Sequence, residues 1–451
     1  MTLSISKDFP SFLMTKNNKT VAFCTLGCRV NQYETRAVEE AFIKKGFTIG
    51  KFTDKCDAYV INTCTVTGES DRKSRQMIRR AVKNGDGKAV VAVMGCMSQV
   101  DAEAASKING VNIVIGNGEK MSVVHLVSAH LGVISDGCVP VYRVPDIYSY
   151  DKVENMSVTG SDNTRAFLKV VDGCENHCSY CIIPSARGKV RSKAPDDVLK
   201  ECENICKMGG CREIVLTGIE TAAYGKDLGC DLATLVEKVS QNPDVKRIRL
   251  GSLEPTVLKE DFVKRLASVK NFMPHFHLSL QSGSDSVLAR MKRKYNTKMF
   301  YEKLELLRKY FPDCEITTDI IVGFPGETEQ EFNETLAFVE KCRFLYIHIF
   351  PYSDRKGTAA SNMDGKLSMD EKTQRCAILN EKMLCIRNDI LKKYLGRKMP
   401  VLCETTKNGL VHGYTPNFIE IRFENKEAKP NDIIEVVLTQ TADNSEFVFG
   451  L

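Results

Sequence analysis

Three cysteines, Cys174, Cys178 and Cys181, fall within eight residues of one another in the segment DGCENHCSYCIIP. So short a loop can bring three thiolates to one metal cluster. A cubane iron–sulfur cluster that only carries electrons takes four protein ligands, so a set of three leaves one iron open to another molecule. A zinc site completed by His177 or a distant residue is the competing use of these thiols, but closed zinc sites usually come as two close ligand pairs.

A second set is spread along the first hundred residues: Cys28 in TLGCRVNQYET, Cys64 in NTCTVT and Cys96 in MGCMSQ. Each follows an apolar, strand-like run and precedes a helical pattern. In a parallel sheet the carboxyl ends of the strands line one edge, so residues far apart in sequence meet there. Helix amino termini behind them favour anionic thiolates. Taken alone, each of the three reads as a buried structural thiol, and the repeated placement is what argues for metal ligands. Cys24, inside the first strand, reads as core. Cys56, Cys138, Cys202, Cys206, Cys211, Cys230 and Cys314 lack matching placement and carry no assignment.

The elements that must position these residues are legible from periodicity. Residues 18–134 alternate apolar strands (TVAFCTL, AYVIN, AVVAVM, NIVIG) with amphipathic helical stretches, which predicts a parallel α/β sheet domain. Residues 135–163 show no sustained period and read as a linker. Over 164–395 six strand candidates recur, AFLKVVDG, REIVLTG, RIRLGS, FHLSLQS, EITTDIIVG and YIHIFPYS, with helical runs between them. Six such units predict a partial (β/α)6 barrel with its chemistry at the carboxyl ends of the strands. Residues 396–451 switch to short strands separated by polar turns, a small all-β module.

Composition narrows the setting. The 451 residues are 43% apolar and 27% charged, and no apolar stretch approaches bilayer length, so no membrane partner is expected. The opening MTLSISKDFPSFLM lacks the pattern of a secretory signal, and a cytoplasmic location is expected. Eighteen cysteines without export signals favour metal ligands and buried thiols over disulfides. The net charge of +6 is compatible with a nucleic-acid partner without requiring one. Its local concentrations are Arg72, Lys73, Arg75, Arg79, Arg80 and Lys83; Arg187, Lys189, Arg191 and Lys193; and Arg290, Lys292, Arg293 and Lys294.

With NQYET, NTCTVT, KSRQMIRR, GCENHCSYCIIP and FPYSDRKGTAA in place, nearly the whole chain resembles the radical S-adenosylmethionine methylthiotransferases. Among that family's branches it is most similar to the one acting on N6-threonylcarbamoyladenosine beside the tRNA anticodon. The isopentenyladenosine branch usually has an Arg soon after the second-domain cysteine and an Arg-Pro-Gly-Thr near the barrel's end. Here Thr65, Val66 and Thr67, and Lys356 before Gly357, stand instead. A third branch methylthiolates a ribosomal-protein aspartate.

The resemblance implies two 4Fe-4S clusters, one on Cys174, Cys178 and Cys181 and the other on Cys28, Cys64 and Cys96, with S-adenosylmethionine used twice. One molecule methylates sulfur held at the second set. Another is cleaved at the first to a 5′-deoxyadenosyl radical, which takes hydrogen from carbon 2 of the adenine so that a methylthio group can enter. It further implies a TRAM module at the end of the chain, an external electron donor and a sulfur source. Cofactor contacts are expected from Tyr180 beside the adenosine, and from Thr217, Gly218, Ser279, Gln281, Asp319, Gly323 and Pro325. Gly173 is expected to allow close backbone approach to cluster sulfur. Glu220 departs from the His or Asn more often found in the family. From Gly396 onward the chain has six Lys plus Arg against eight Asp plus Glu. Binding of tRNA phosphates is therefore expected from the Arg72–Lys83 helix and the Arg187–Lys193 loop rather than from this module.

Overall fold

Apolar runs too short for helices become the strands of three sheets. The computed structural model describes residues 18–132, 141–160, 164–443 and 446–451. The opening residues 1–17, Cys138 and the polar residues 161–163 of the expected linker lie outside the described residues. The chain divides into two compact units: one runs to Thr65 and resumes over Glu69–Pro145, and the other comprises Val66–Gly68 and Asp146–Leu451.

In the first unit the strands are β1 (Thr20–Thr25), β2 (Thr48–Gly50), β3 (Ala58–Thr63), β4 (Val90–Gly95), β5 (Ile113–Ile115) and β6 (Val141–Arg143). They pair in parallel in the order β2-β1-β3-β4-β5-β6. The helices are α1 (Arg29–Lys44), α2 (Gly68–Asn84), α3 (Cys96–Val100), α4 (Ala102–Ser106) and α5 (Ser122–Gly132). Side chains alternate across a strand, so Val60, Ala92 and Met94 face α1 and α5 while Tyr59, Ile61, Val91 and Val93 face α2 and α4. Both faces of β3 and β4 are covered, which is why these strands read as continuous apolar runs. β6 falls inside the segment read as a linker. Its three residues carry no periodic signal of their own, and pairing with β5 makes them a strand.

In the second unit six parallel strands form the partial barrel: β7 (Arg165–Asp172), β9 (Glu213–Gly218), β10 (Arg247–Leu250), β11 (His275–Gln281), β12 (Glu315–Val322) and β13 (Tyr346–Pro351), with a short antiparallel β8 (Arg191–Ser192) beside β7. Parallel bridges Ile248–Phe272 and Leu253–Leu278 join the two halves of the curved sheet. Around it lie α6 (Ile183–Arg187), α7 (Pro195–Gly209), α8 (Leu232–Ser240), α9 (Glu260–Ala267), α10 (Asp285–Arg290), α11 (Thr297–Tyr310), α12 (Glu329–Cys342) and α13 (Met369–Lys392). Capping boxes Thr328–Glu331 and Ser368–Glu371 start the last two.

The remaining strands, β14 (Lys398–Lys407), β15 (Leu410–Tyr414), β16 (Glu420–Glu424), β17 (Ile433–Thr441) and β18 (Val448–Gly450), close into a small barrel. This module seals the amino-terminal end of the larger barrel. Arg247 donates to the carbonyls of Tyr414 (2.9 Å) and Pro400 (2.8 Å), and Arg249 to those of Pro416 (2.8 Å) and Thr415 (3.0 Å). Phe418 stacks on His275 with centroids 4.4 Å apart, and Arg165 lies over the Tyr414 and Phe418 rings. Buried Glu213 pairs with Arg249 at 2.9 Å and balances the charge.

Candidate active site

At the carboxyl end of β7 the chain turns into the cysteine loop. Gly173 has φ +81, and a Cβ there would stand 1.9 Å from the Lys189 carbonyl oxygen, so only glycine fits. Its role is thus the approach of two backbone segments. Buried Asp172 fixes the turn: its carboxylate accepts from Lys169 Nζ (2.5 Å), the Gly173 amide (2.9 Å) and Arg187 Nη1 (3.2 Å). The Cys174 amide donates to Gly188 O at 3.0 Å, and the Cys181 amide to Cys178 O at 3.0 Å, closing the CSYC turn. Ser179 ties this turn to the barrel through Arg290 O (2.8 Å) and Met291 O (3.1 Å).

A polar wall faces the thiols. Glu220, just past β9, brings Oε2 to 3.6 Å from Cys174 Sγ and accepts from Asn176 Nδ2 at 2.6 Å. Arg293 Nη1 approaches Cys178 Sγ at 3.0 Å and its Nη2 donates to Glu254 at 2.8 Å. Burial pushes the Cys174 thiol up to about 12, and the Glu220 carboxylate adds to the effect. Burial likewise takes Cys181 to about 11. Burial and the neighbouring Glu254 raise Glu220 itself. A bound iron would supply the positive charge that turns these thiols into thiolates. Beside this wall a cleft of about 490 Å³ is lined by Asn176, Glu220, Glu254, Lys259 and Lys294 among others. Arg293 stood out in the sequence only as one member of a basic run, which looks the same whether it is solvated or turned inward, and Glu254 and Asn176 carried no signal of their own. Glu220 carried a usable signal, its position directly after the LTG strand end.

The other expected residues occupy the strand ends. The Tyr180 ring packs edge-on to Phe324 at 6.4 Å, in an apolar cluster with Val287, Met291 and Tyr352. Thr217 is buried at the end of β9. Gly218 is pressed against β7, where a Cβ would meet Val171 at 2.3 Å. Ser279 gives its carbonyl to the Tyr295 hydroxyl, and Gln281 takes φ +73 at a β-bulge in β11. Asp319 pairs with His277 Nε2 at 3.1 Å. Gly323 and Pro325 form the turn after β12, held by buried Glu327, which accepts from the Gly323 amide (2.8 Å) and Arg375 (2.7 Å).

In the first unit Cys28, Cys64 and Cys96 do come to one edge. β3 and β4 end level at Thr63 and Gly95, immediately before Cys64 and Cys96, and Thr25 of β1 pairs with Asn62. Cys28 is the exposed N-cap of α1, whereas Cys64 and Cys96 are buried. Gly27, at φ +93, lies so close that an added Cβ would stand 2.8 Å from Cys64 Sγ. Asn31 donates to Leu26 O (2.7 Å) and Thr63 O (3.0 Å), Asn62 donates to Asn31 O (3.0 Å), and Asn117 reaches Cys96 Sγ at 3.6 Å. A fully buried ion pair, Lys120 with Glu34, underlies this edge. None of the six cysteines of the two sets is in a disulfide, so their sulfurs can serve as the thiolate ligands that iron–sulfur clusters take.

The basic clusters part company. On α2 Arg72, Lys73, Arg79, Arg80 and Lys83 are exposed. The Arg187–Lys193 loop does not offer the expected basic surface. Arg187 is buried on Asp172, Arg191 is buried with its guanidinium on the Arg187 carbonyl, and Lys193 is buried on Glu201. Only Lys189 of the four reaches outward, and it pairs with Asp151 at 2.5 Å.

A parallel partial barrel that opens with a three-cysteine loop defines a radical S-adenosylmethionine enzyme. Residues 168–339 match the Radical SAM superfamily model, and residues 20–116 match the uncharacterized protein family UPF0004. The chain is similar to "Threonylcarbamoyladenosine tRNA methylthiotransferase MtaB" of Bacillus subtilis, 37% identical over 92% of this chain and 93% of the relative. It is similar to the Aquifex aeolicus protein of that name, also at 37%, over 90% and 96%. It is 29% identical to "tRNA-2-methylthio-N(6)-dimethylallyladenosine synthase" of Staphylococcus haemolyticus over 95% and 84%. In fold it resembles the radical S-adenosylmethionine methyltransferase TsrM of Kitasatospora setae, with TM-score 0.56 and 14% identity over 96% of this chain and 85% of that one. The chain belongs to the radical S-adenosylmethionine methylthiotransferase family. It is accordingly a transferase whose cofactors include S-adenosylmethionine and a 4Fe-4S cluster.

Proposed function

We propose that this protein adds a methylthio group to carbon 2 of N6-threonylcarbamoyladenosine in tRNA, with one 4Fe-4S cluster on Cys174, Cys178 and Cys181 and a second on Cys28, Cys64 and Cys96. The observation that carries the reading is the pair of cysteine triads outside any disulfide, each at the carboxyl ends of parallel strands. The names of the most similar relatives supply the nucleoside. Such clusters supply the electron that cleaves S-adenosylmethionine and the iron that holds the sulfur to be transferred.

The chain's own residues do the positioning. Glu220, half-buried beside Cys174, would accept hydrogen bonds from the methionine ammonium, and Lys294 and Lys259 lie along the same cleft, where they would meet its carboxylate. Arg293 donates to Cys178 Sγ, a contact that would raise the potential of a cluster held there. Tyr180, Thr217, Gly218, Ser279, Gln281, Gly323 and Pro325 would frame the nucleoside part of the cofactor, whereas Asp319, paired with His277 three residues before the end of β12, is left to the substrate side. The apolar cluster around Tyr180 keeps water from the radical. The exposed face of α2 takes tRNA phosphates. Electrons and sulfur come from external donors, and the tRNA substrate places the enzyme in the cytoplasm.

Anaerobic reconstitution followed by mass spectrometry of tRNA nucleosides tests this. The expected product is the 2-methylthio form of threonylcarbamoyladenosine, with 5′-deoxyadenosine as co-product. Methylthiolation of dimethylallyladenosine or of a ribosomal-protein aspartate instead would assign the chain to another branch. A folded, reconstituted protein that makes no 5′-deoxyadenosine would sink the reading.

A further inference from the structure

Below the mouth of the large barrel, a stripe of polar side chains lines the inner face of its last three strands. In β11 the apolar Phe276, Leu278 and Leu280 are buried outward under the helices, so the alternating His275 and His277 face the lumen. By the same alternation Thr317 and Asp319 of β12, and Tyr346 and His348 of β13, face inward, and Asp319 is in register with His348. His277 Nε2 lies 3.1 Å from the Asp319 carboxylate, which can only accept, so Nε2 donates; Nδ1 then accepts from the Thr317 hydroxyl at 2.9 Å, which leaves that oxygen to accept from His275 Nε2 at 3.1 Å. With the Asp319 carboxylate as acceptor this chain fixes the Nε2–H tautomer of His277, and the second Asp319 oxygen makes no hydrogen bond among the described residues.

His348 is exposed, edge-on to Tyr346 at 4.9 Å and 5.6 Å from the His277 ring. Alongside β13, α13 brings Arg387 over the Tyr346 ring, its Cζ 5.4 Å from the centroid. Arg387 Nη2 donates to the Glu446 carbonyl, while its buried Nε has no hydrogen-bond partner among the described residues. Asp319 lies three residues before the end of β12, about 10 Å along the strand. The stripe is therefore set back from the cysteine loop.

His277, Asp319 and His348 are close enough together to hold a metal ion. In this structure, however, His277 Nδ1 is engaged by Thr317 and its Nε2 by Asp319, itself one of the three. What remains is a carboxylate oxygen, an open imidazole and the Arg387 guanidinium, whose Nη1 makes no hydrogen bond among the described residues and, unlike Nε, is not closed off by protein.

We propose that Asp319, His348 and Arg387 form the subsite that recognises the threonylcarbamoyl substituent of the target adenosine, an inference that rests on the substrate reading above. That substituent carries a carboxylate for Arg387 and a hydroxyl and urea N–H groups for Asp319 and His348. A dimethylallyl substituent has no hydrogen-bonding atom and would leave all three desolvated without partners. Sites of this kind reject the analogue that lacks the polar group.

The test compares reconstituted wild type, His348→Leu, His348→Gln and Arg387→Gln on anticodon stem-loops bearing threonylcarbamoyladenosine, dimethylallyladenosine or unmodified adenosine. Iron content and thermal midpoint report folding. The expected result is that His348→Leu and Arg387→Gln each lower kcat/KM on the threonylcarbamoyl substrate about tenfold or more. The preference over the dimethylallyl substrate narrows by the same factor, and His348→Gln recovers part of the loss. An equal loss on both substrates, or none, overturns the subsite while the proposed function stands. A non-iron metal held by wild type and lost in His348→Leu overturns it in favour of an ion site. Wild type inactive on the threonylcarbamoyl substrate removes the proposed function and the subsite together.

Discussion

The two cysteine triads are built in opposite ways. Cys174, Cys178 and Cys181 share one loop, and their spacing is set by local turns such as the Cys181 N–H to Cys178 carbonyl bond. Cys28, Cys64 and Cys96 come from three strand ends, and they are neighbours only because β1, β3 and β4 pair in register. The loop triad depends on two or three backbone contacts. The dispersed triad depends on a whole sheet, and anything that shifts that sheet's register removes it.

The largest expected effect separates the triads by chemistry. Cys178→Ala should abolish 5′-deoxyadenosine formation. Cys64→Ala should keep it and lose methylthio transfer, and iron should fall in each from about eight to about four per chain. Loss of both activities in Cys64→Ala would show that the centres are not separable. Gly27→Ala should act on the dispersed triad alone. A side chain at φ +93 against Cys64 costs roughly 1–3 kcal/mol, so about half the iron should be lost while cofactor cleavage survives. Unchanged iron in a folded variant would break the contrast.

A smaller lever acts only on the unit that holds the loop triad. Burial raises the Glu315 carboxyl to about 7 against an ordinary 4.5, with the Tyr394 hydroxyl donating to it at 2.7 Å. A raised acid favours the protonated folded form, so this contribution is complete below about pH 4.5 and is lost as pH rises through about 7. The loss amounts to no more than about 3 kcal/mol. Urea midpoints followed at the loop centre should therefore fall between pH 5 and 8, and Glu315→Gln should flatten that slope. An unchanged slope would remove the assignment. The smallest effect concerns charge. Arg79→Glu with Arg80→Glu should weaken tRNA binding about tenfold and flatten its salt dependence, whereas Lys189→Glu should change it less than about twofold. Equal effects at both places would mean that exposure does not decide which cluster meets RNA.

How much of this was readable in advance follows the same contrast. The loop triad and the six barrel strands are written in consecutive residues, so spacing and periodicity revealed them. The dispersed triad was readable because each cysteine falls where its strand gives way to the helix that follows, one residue past β3 and β4 and three past β1. What escaped notice depends on contacts across the fold. Val141–Arg143 becomes a strand only by pairing with β5, and Arg187, Arg191 and Lys193 look like a surface run until Asp172 and Glu201 claim two of them and the Arg187 carbonyl the third. Glu220 stood out as an oddity, and only the barrel's curvature brings it to Cys174.

The seal made by Phe418, Tyr414 and the carbonyls that Arg247 and Arg249 grip gives the barrel a dead end. With that end of the corridor closed, whatever enters must come and go by the mouth or by the open side between β13 and β8. Cutting the chain after Tyr394 would not trim an appendage. It would flood that corridor from behind and strand two guanidinium groups without their acceptors.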